Sequence, residues 1–428
     1  MNRLATRVIR SALVRYVRAQ PREEDWHGAE KRVYIMLLTA WGMGGTIRTT
    51  MNLAFYLASK GYEIVFVSVG RQRDEPFFGA MPPGVSILTL DDKREEMLPG
   101  RRHPIHRWMR EQPSLMMHPD DIGFRGFNLW VDYQLVKALR RKTGFFITTR
   151  PGLNLVSALL SPPGLVRIGQ EHMHLRDHPE DLQKAMTTEY RKLTTLAVLT
   201  EGDRKRYRKH LDKKVPVVHI PNAVRDMGVE QADLSAKTVL AAGRLARQKG
   251  YDRLIKAWAQ VAPEHPDWHL RICGNGPKHA RLEELIGEFG LEESVTLAGP
   301  ARDMGAEMAK ASIFALSSRW EGLPLVLMEA MSVGMGVVSF DCPTGPAELI
   351  DDHENGLLIS PKTIANFAAG LREMIEDEGL RRRCAAAARE TAAEYSMDSI
   401  GPHWEETLEK ALQRHRKKAG RPVRVPTA

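Results

Sequence analysis

The sequence predicts an α/β protein built from two parallel-sheet modules. Three observations carry that expectation. The length of 428 residues suits two domains. A strand, a glycine-rich turn, a helix and a second strand follow one another over residues 32–69. A further alternation of strands and helices restarts at 238 and runs to 342.

In the first module, RVYIMLL (32–38) is an apolar run of strand length and TAWGMGGT is the turn. Ile47, Met51, Leu53, Ala54, Leu57 and Ala58 fall at helical spacing, and Gly61 follows as a C-terminal cap. EIVFVSVG (63–70) is the next strand, which completes a βαβ unit of right-handed crossover. RIGQE (167–171) reads as a later strand, and residues 75–130 show less regular patterning. Pro221, Asn222 and the polar run 225–237 read as a linker. The second module reads as strand TVLAAGRL (238–245), helix 251–262, strand HLRICGNG (269–276), helix 278–289 and strand SVTLAG (294–299). Helix 303–310, strand SIFALSS (312–318), another helix and strand GVVSFDC (336–342) follow. The expected segments are 1–30, 31–216, 217–395, and 396–428 as a terminal helix returning toward the first domain with a basic tail. Ligands of open parallel sheets bind beyond the carboxyl ends of the strands, so two such domains facing each other would enclose a cleft.

At 43% hydrophobic and 27% charged, the composition is that of a globular protein. A net charge of +9 favours acidic partners such as nucleotides, phosphates or an anionic membrane. No zinc-finger spacing or aromatic-interleaved basic motif points to nucleic acid. Cys273, Cys342 and Cys384 are few and scattered, as in a reducing compartment without a disulfide framework. No run is long and apolar enough to span a bilayer, and the N-terminus lacks a secretory core. Instead, MNRLATRVIRSALVRYVRAQ gathers Arg3, Arg7, Arg10, Arg15 and Arg18 on one helical sector. Val8, Ile9, Ala12, Leu13, Tyr16 and Val17 lie opposite, with Leu4 and Val14 breaking the pattern. This basic amphipathic helix suits a peripheral anchor on an anionic membrane, a helix packed on its own domain, or an Arg-rich leader. RHRKKAGRPVRVPTA at the other end is expected to be a disordered basic tail.

The chemistry concentrates in SSRWEGLPLVLMEAM, where Glu321 and Glu329 interrupt an apolar segment just past a strand end. Pro324 fits the first position of a helix, leaving the N–H groups of Leu325 and Val326 as free donors at a positive helix end. That is an anion site, and Gly322 lets a ligand approach the backbone. Glu321 precedes the helix and Glu329 lies about 7–8 Å along it, so a diphosphate docked there would have a carboxylate for hydroxyls toward each flank. Taken singly, each glutamate also suits a solvated helix charge.

This stretch resembles the E-x7-E region of family-4 glycosyltransferases, which have the GT-B fold of two facing Rossmann-like domains. AAGRLARQKGYDRLIKAW resembles their GR-L-x4-KG element, and ICGNGP, GGTIRT and ENGLLI resemble further family segments, so that the likeness covers most of residues 32–395. The resemblance implies that Arg244 and Lys249 neutralise the diphosphate of a sugar nucleotide. It implies that Glu321 meets the donor sugar and the reacting centre, that Glu329 binds ribose hydroxyls, and that the backbone from Leu323 through Pro324 and Leu325 to Val326 holds phosphate. Gly274 and Gly276 would bring a turn close to the nucleotide, and Gly44 and Gly45 would let the first domain approach phosphate or sugar. Arg48 matches a more variable basic position.

In RIGQEHMHLRDHP, the family histidine near the reacting centre falls on His172, with His174 as the rival two residues on. The spacing of His172, His174 and His178 fits no standard zinc pattern. The chain holds no D-x-D triplet, the metal-holding motif of GT-A enzymes, so no metal and no cofactor is expected. DCPTGPAE, with a turn at Gly345 and Pro346, reads either as a wall of the sugar pocket or as an ordinary βα turn. The expectation is a cytoplasmic, retaining, metal-independent glycosyltransferase, possible also on the inner membrane face. It would move a hexose or N-acetylhexosamine from a nucleotide-diphosphate sugar, UDP favoured, to a hydroxyl acceptor such as a glycan or lipid-linked glycan. The alternatives are another GT-B enzyme, such as an epimerase or phosphorylase, and a non-catalytic nucleotide-sugar binder.

Overall fold

The computed structural model describes residues 3–42, 44–77, 79–94 and 104–418, with the side chains of Arg3 and Leu4 outside that set. The terminal part of the basic tail expected to be disordered, from residue 419, lies outside the described residues. The chain forms two compact units, Met1–Ile220 with Gly401–Ala428, and Pro221–Ile400.

The first unit holds a parallel seven-stranded sheet: β1 (Arg32–Leu37), β2 (Glu63–Arg71), β3 (Val85–Asp92), β4 (Gly144–Thr148), β5 (Leu165–Glu171), β6 (Thr195–Val198) and β7 (Val217–His219). Their order is β3-β2-β1-β4-β5-β6-β7. Strands β1, β4 and β6 are buried along nearly their whole length because helices cover both faces, which is why they read as continuous apolar runs. The edge strand β3 alternates exposed and half-buried residues, VSILTLDD, and falls inside the stretch whose pattern was weak in sequence.

The second unit holds a parallel six-stranded sheet: β8 (Thr238–Ala242), β9 (His269–Cys273), β10 (Val295–Gly299), β11 (Ile313–Leu316), β12 (Gly336–Phe340) and β13 (Leu357–Ile359). The order is β10-β9-β8-β11-β12-β13. Strands β8, β9, β11 and β12 each stop short of their apolar-run counterparts in the sequence. The remaining residues, Gly243–Leu245, Gly274–Gly276, Ser317–Ser318 and Asp341–Cys342, turn into loops at the carboxyl edge. Each sheet is thus a Rossmann-like layer with its loops available for binding.

Two helices complete the first unit. The N-terminal helix Arg3–Val17 packs on the helix Leu129–Leu139. Val17 is fully buried, and Leu13 and Val14 lie against the same core. The docked stripe is therefore narrower than the sequence reading drew it: Val8 is 61% and Tyr16 45% exposed. Arg18 anchors the helix end by donating to the carbonyls of Leu159 (3.0 Å) and Leu160 (3.2 Å). At the other end of the chain, the helix Met397–Lys418 enters this unit at Gly401 and buries Trp404, Leu408 and Ala411. The Tyr56 hydroxyl donates to Glu405 at 2.6 Å and Arg414 to Thr195 at 3.2 Å. Among the described residues no helix is long and apolar enough to cross a membrane. All three cysteines are buried and free.

Candidate functional site

In the second unit, four loops at the carboxyl edge lock together. Leu245 N–H donates to Asn275 O (3.0 Å) and Lys278 N–H to Leu245 O (3.0 Å), joining the loops after β8 and β9. A β-carbon on Gly274 would fall 1.9 Å from Gly243 O, and one on Gly276 2.4 Å from Leu245 O. These two glycines let one loop stack on the other, a packing role that the sequence reading did not include.

The loop after β8 runs on through Arg247–Lys249 to the helix Tyr251–Val261. Ser317 Oγ, at the end of β11, donates to Lys249 O at 2.9 Å. This fixes the Lys249 side chain beside Glu321, where its Nζ lies 2.7 Å from Oε1. The same oxygen accepts from Ser318 Oγ at 2.6 Å. Glu321 is 6% exposed. Its backbone pairs with the loop after β12, donating to Pro343 O (2.8 Å) and accepting from Thr344 N–H (2.9 Å). In that loop Gly345 lies so close to Gly322 that a β-carbon would sit 1.9 Å from its carbonyl oxygen. The DCPTGPAE turn is thereby packed under the Glu321–Pro324 segment.

The helix itself is Leu325–Val333. Pro324 stands at the cap, in extended backbone, one position earlier than the sequence reading placed it. The first helical hydrogen bonds run from Leu327 N–H (3.0 Å) and Met328 N–H (3.3 Å) to Pro324 O. Leu325 and Val326 precede them, so their N–H groups have no intrahelical acceptor. Leu323 is buried and its carbonyl accepts from Asn222 Nδ2 at 3.0 Å. Glu329 is 4% exposed in a helix otherwise lined by Leu, Met, Ala and Val.

The two cations expected at the diphosphate differ. Lys249 is committed to Glu321, whereas Arg244 is exposed and makes no ion pair among the described residues. Arg319 nearby is bidentate to Asp252, at 2.8 and 2.6 Å.

In the first unit, Gly44 caps the helix Gly45–Ser59 beyond β1, and a β-carbon on either glycine would meet nothing within 4 Å. His172 follows β5 directly and is half-buried, and its Nε2 has no hydrogen-bond partner among the described residues. Burial, reinforced by Arg150, pushes its imidazole down to about 4. His174 does a different job: it is buried, caps the turn Leu175–Asp177 through Nδ1 at 3.1 Å from Arg176 N, and is held by Arg206. Sequence reasoning passed over Glu171, Asn154 and Tyr190, which share a buried hydrogen-bond cluster at the end of β5. An acid at the carboxyl end of a parallel strand, where such sheets bind ligands, was the available signal.

The family model for glycosyl transferases group 1 matches residues 225–391, the span that holds Arg244, Lys249, Glu321 and Glu329. An exopolysaccharide phosphotransferase of Streptomyces coelicolor is 34% identical over 89% of this chain. The chain spans 41% of that relative's length. An uncharacterized glycosyltransferase of Haemophilus influenzae is 28% identical over 88% of this chain and 100% of its own length. Residues 225–391 match the glycosyl transferases group 1, and the fold of the chain is GT-B. Staphylococcus aureus TarM, solved as a mutant with Fondaparinux, alpha-GlcNAc-glycerol and UDP, has the same fold, with a TM-score of 0.72 at 16% identity over 88% of this chain and 99% of that one. Within this GT-B fold, Glu321, Lys249 and the Leu325–Val333 helix start belong to one unit and Gly44, Gly45 and His172 to the other.

Proposed function

We propose that this glycosyltransferase moves a hexose or N-acetylhexosamine from a nucleotide-diphosphate sugar to a hydroxyl acceptor, with retention and without a metal. One observation carries the reading: a free helix start at Leu325 and Val326, flanked by the buried carboxylates Glu321 and Glu329 and joined through Lys249 to the loop of Arg244. Helix-end amides and Arg244 suit a departing phosphate, and carboxylates suit sugar and ribose hydroxyls. The Lys249–Glu321 pair is near neutral overall, so the developing negative charge falls to Arg244 and the helix dipole. The acceptor hydroxyl would attack on the leaving-group side and pass its proton to the departing phosphate oxygen; retention follows from the family resemblance. The UDP bound by TarM supports a uridine donor, and the exopolysaccharide named for the Streptomyces relative supports a polysaccharide or lipid-linked acceptor.

The test is a thermal-shift series with UDP, GDP and ADP in the presence of a chelator, since a ligand of the folded state raises its midpoint. One nucleotide class should stabilise the protein, and Arg244→Ala and Glu329→Ala should abolish the gain. A shift unchanged in both variants counts against the site. The relative's name also raises phosphotransfer from the same donor, and analysis of the released nucleotide separates the two: a diphosphate product marks glycosyl transfer, a monophosphate phosphotransfer.

Peripheral binding at the cytoplasmic face of an anionic membrane belongs to this reading. Arg7, Arg15 and Val8 face outward on the first helix, and Ile105 and Trp108 are exposed on the helix Pro104–Glu111, which packs on the same Leu129–Leu139 helix. Arginines with exposed aromatic and aliphatic side chains fit an anionic headgroup layer. Co-sedimentation with phosphatidylglycerol vesicles, and none with phosphatidylcholine vesicles, is the expected result; equal pelleting with both, or with neither, overturns it.

A further inference from the structure

The mechanism leaves unused the polar cluster that closes β5. Glu171 is 2% exposed. Its Oε1 accepts from the Tyr190 hydroxyl and from Asn154 Nδ2 at 2.7 Å. Asn154 in turn accepts from Thr148 Oγ1 at 2.6 Å. Glu171 Oε2 has no hydrogen-bond partner among the described residues, and neither has the nitrogen opposite it, His178 Nε2, at 4.0 Å. The His178 side chain is 9% exposed. The other charged or titratable groups around this carboxyl are Arg150 and Asp121, which pair with each other at 3.2 Å, and the buried phenol of Tyr207. Among the described residues no lysine or arginine pairs with Glu171. A buried carboxyl in that position takes up a proton rather than remain an uncompensated anion. Oε1 already accepts twice, so Oε2, which faces the ring nitrogen from 4.0 Å, just beyond hydrogen-bond distance, is the oxygen placed to carry it.

We propose that Glu171 is a positioning residue for glycosyl transfer: it stands as a neutral carboxylic acid, held through Oε1 by Tyr190 and Asn154, whose Oε2 proton closes the 4.0 Å gap to His178 Nε2 by a small shift of the loop, an uncharged clasp that then fixes the loop presenting His172. The inference rests on the transfer reading for its effect on turnover, while the location of the proton stands apart from it. The loop is held by His174 on Arg206, and closing the gap between His178 and Glu171 adds a second point, with His172 ahead of both. The direction of each shift agrees: burial pushes Glu171 up to about 8 and holds His178 below its ordinary value. Ionisation of Glu171 would place a negative charge one residue from His172 and favour its imidazolium, so the neutral acid also keeps His172 an uncharged hydrogen-bonding group.

Glu171→Gln keeps the shape and a donor toward His178 but cannot titrate. Infrared difference spectra of the full chain across neutral to alkaline pH should show a protonated-carboxyl band that disappears near pH 8 and is missing in Glu171→Gln. With UDP-glucose and UDP-N-acetylglucosamine hydrolysis as probes, the wild type should lose kcat on the alkaline side. Glu171→Gln should keep neutral-pH kcat within about twofold, with KM unchanged, and lose that alkaline limb. His178→Ala should lower kcat about tenfold at unchanged UDP thermal shift. The proposal is overturned if no band is removed by Glu171→Gln, or if that variant loses turnover while its UDP thermal shift is intact. Absence of turnover in the wild type with both sugar nucleotides would sink the transfer reading, and the infrared titration would still decide the clasp.

Discussion

Replacing Lys249 by methionine keeps most of the side-chain volume and removes the ammonium that grips Glu321. The two groups lie 2.7 Å apart and are 17% and 7% exposed. At an effective dielectric constant near 20, the attraction across that distance is about 6 kcal/mol, part of which is offset by the cost of desolvating both ions. Truncating one partner of such a pair costs about 3–5 kcal/mol, because the other charge stays buried. Ser318 Oγ still donates to Glu321 at 2.6 Å, which places the expected loss at the low end, about 3 kcal/mol. For a unit the size of Pro221–Ile400 that is a fall in midpoint of about 6–12 °C. Urea unfolding monitored by tryptophan fluorescence measures it, and a cycle with Glu321→Gln isolates the pair. Glu321→Gln in the Lys249→Met background should restore part of the stability, since the buried charge is gone. A loss below about 0.5 kcal/mol for Lys249→Met, or a double variant no better than the single, would refute the claim that this pair holds the loops after β8 and β11 together.

Other outcomes follow from the same geometry. Arg244→Ala should weaken UDP binding at least about tenfold by calorimetry while changing stability by less than about 0.5 kcal/mol, because this exposed cation makes no ion pair among the described residues. Gly276→Ala should destabilise the second unit by more than about 1 kcal/mol in urea, since its β-carbon meets the Leu245 backbone at 2.4 Å. Stability should fall as pH rises from about 6.5 to 8. Glu171, raised to about 8, and Asp132, raised to about 7, both by burial, hold protons in the folded state that the unfolded chain has already released. Each contributes a slope of at most about 1.4 kcal/mol per pH unit until its own folded value is passed. Below about 6.5 the depressed His172 acts in the opposite sense, its stabilising share growing as pH rises from about 4. Urea midpoints across this range in the wild type and Glu171→Gln check the sign, and a rise with pH above 6.5 contradicts it.

The strand and helix alternation was legible because helices cover both faces of the central strands, which therefore carry unbroken apolar runs such as VYIML and IFAL. Edge strand β3 was not, because it shows water on alternate residues and so lacks that run. Glu321 and Glu329 could be found because acids inside an apolar segment are costly to bury. That Lys249 would grip Glu321 could not, since the two are 72 residues apart in the chain and are brought together by ties such as Ser317 to Lys249 O and Gln248 to Trp320 O. Pro324 was misplaced by one position, as caps and first turns share residue preferences. The three histidines of the 172–178 loop look alike in sequence. Only Arg206 and Asp203, folded in from a later helix, separate a structural cap from its neighbours.

The chain leaves its first unit at Ile220 and rejoins it at Gly401, so synthesis finishes the two modules out of order. When residue 400 has emerged, every strand of both sheets exists, yet the seats of Trp404, Leu408 and Ala411 on the earlier module are still vacant. The carboxyl-terminal helix is thus a late keystone. A gene cut after Ile400 should give a finished second module beside a first one with a bare apolar seat, visible as light scattering that the full chain does not show.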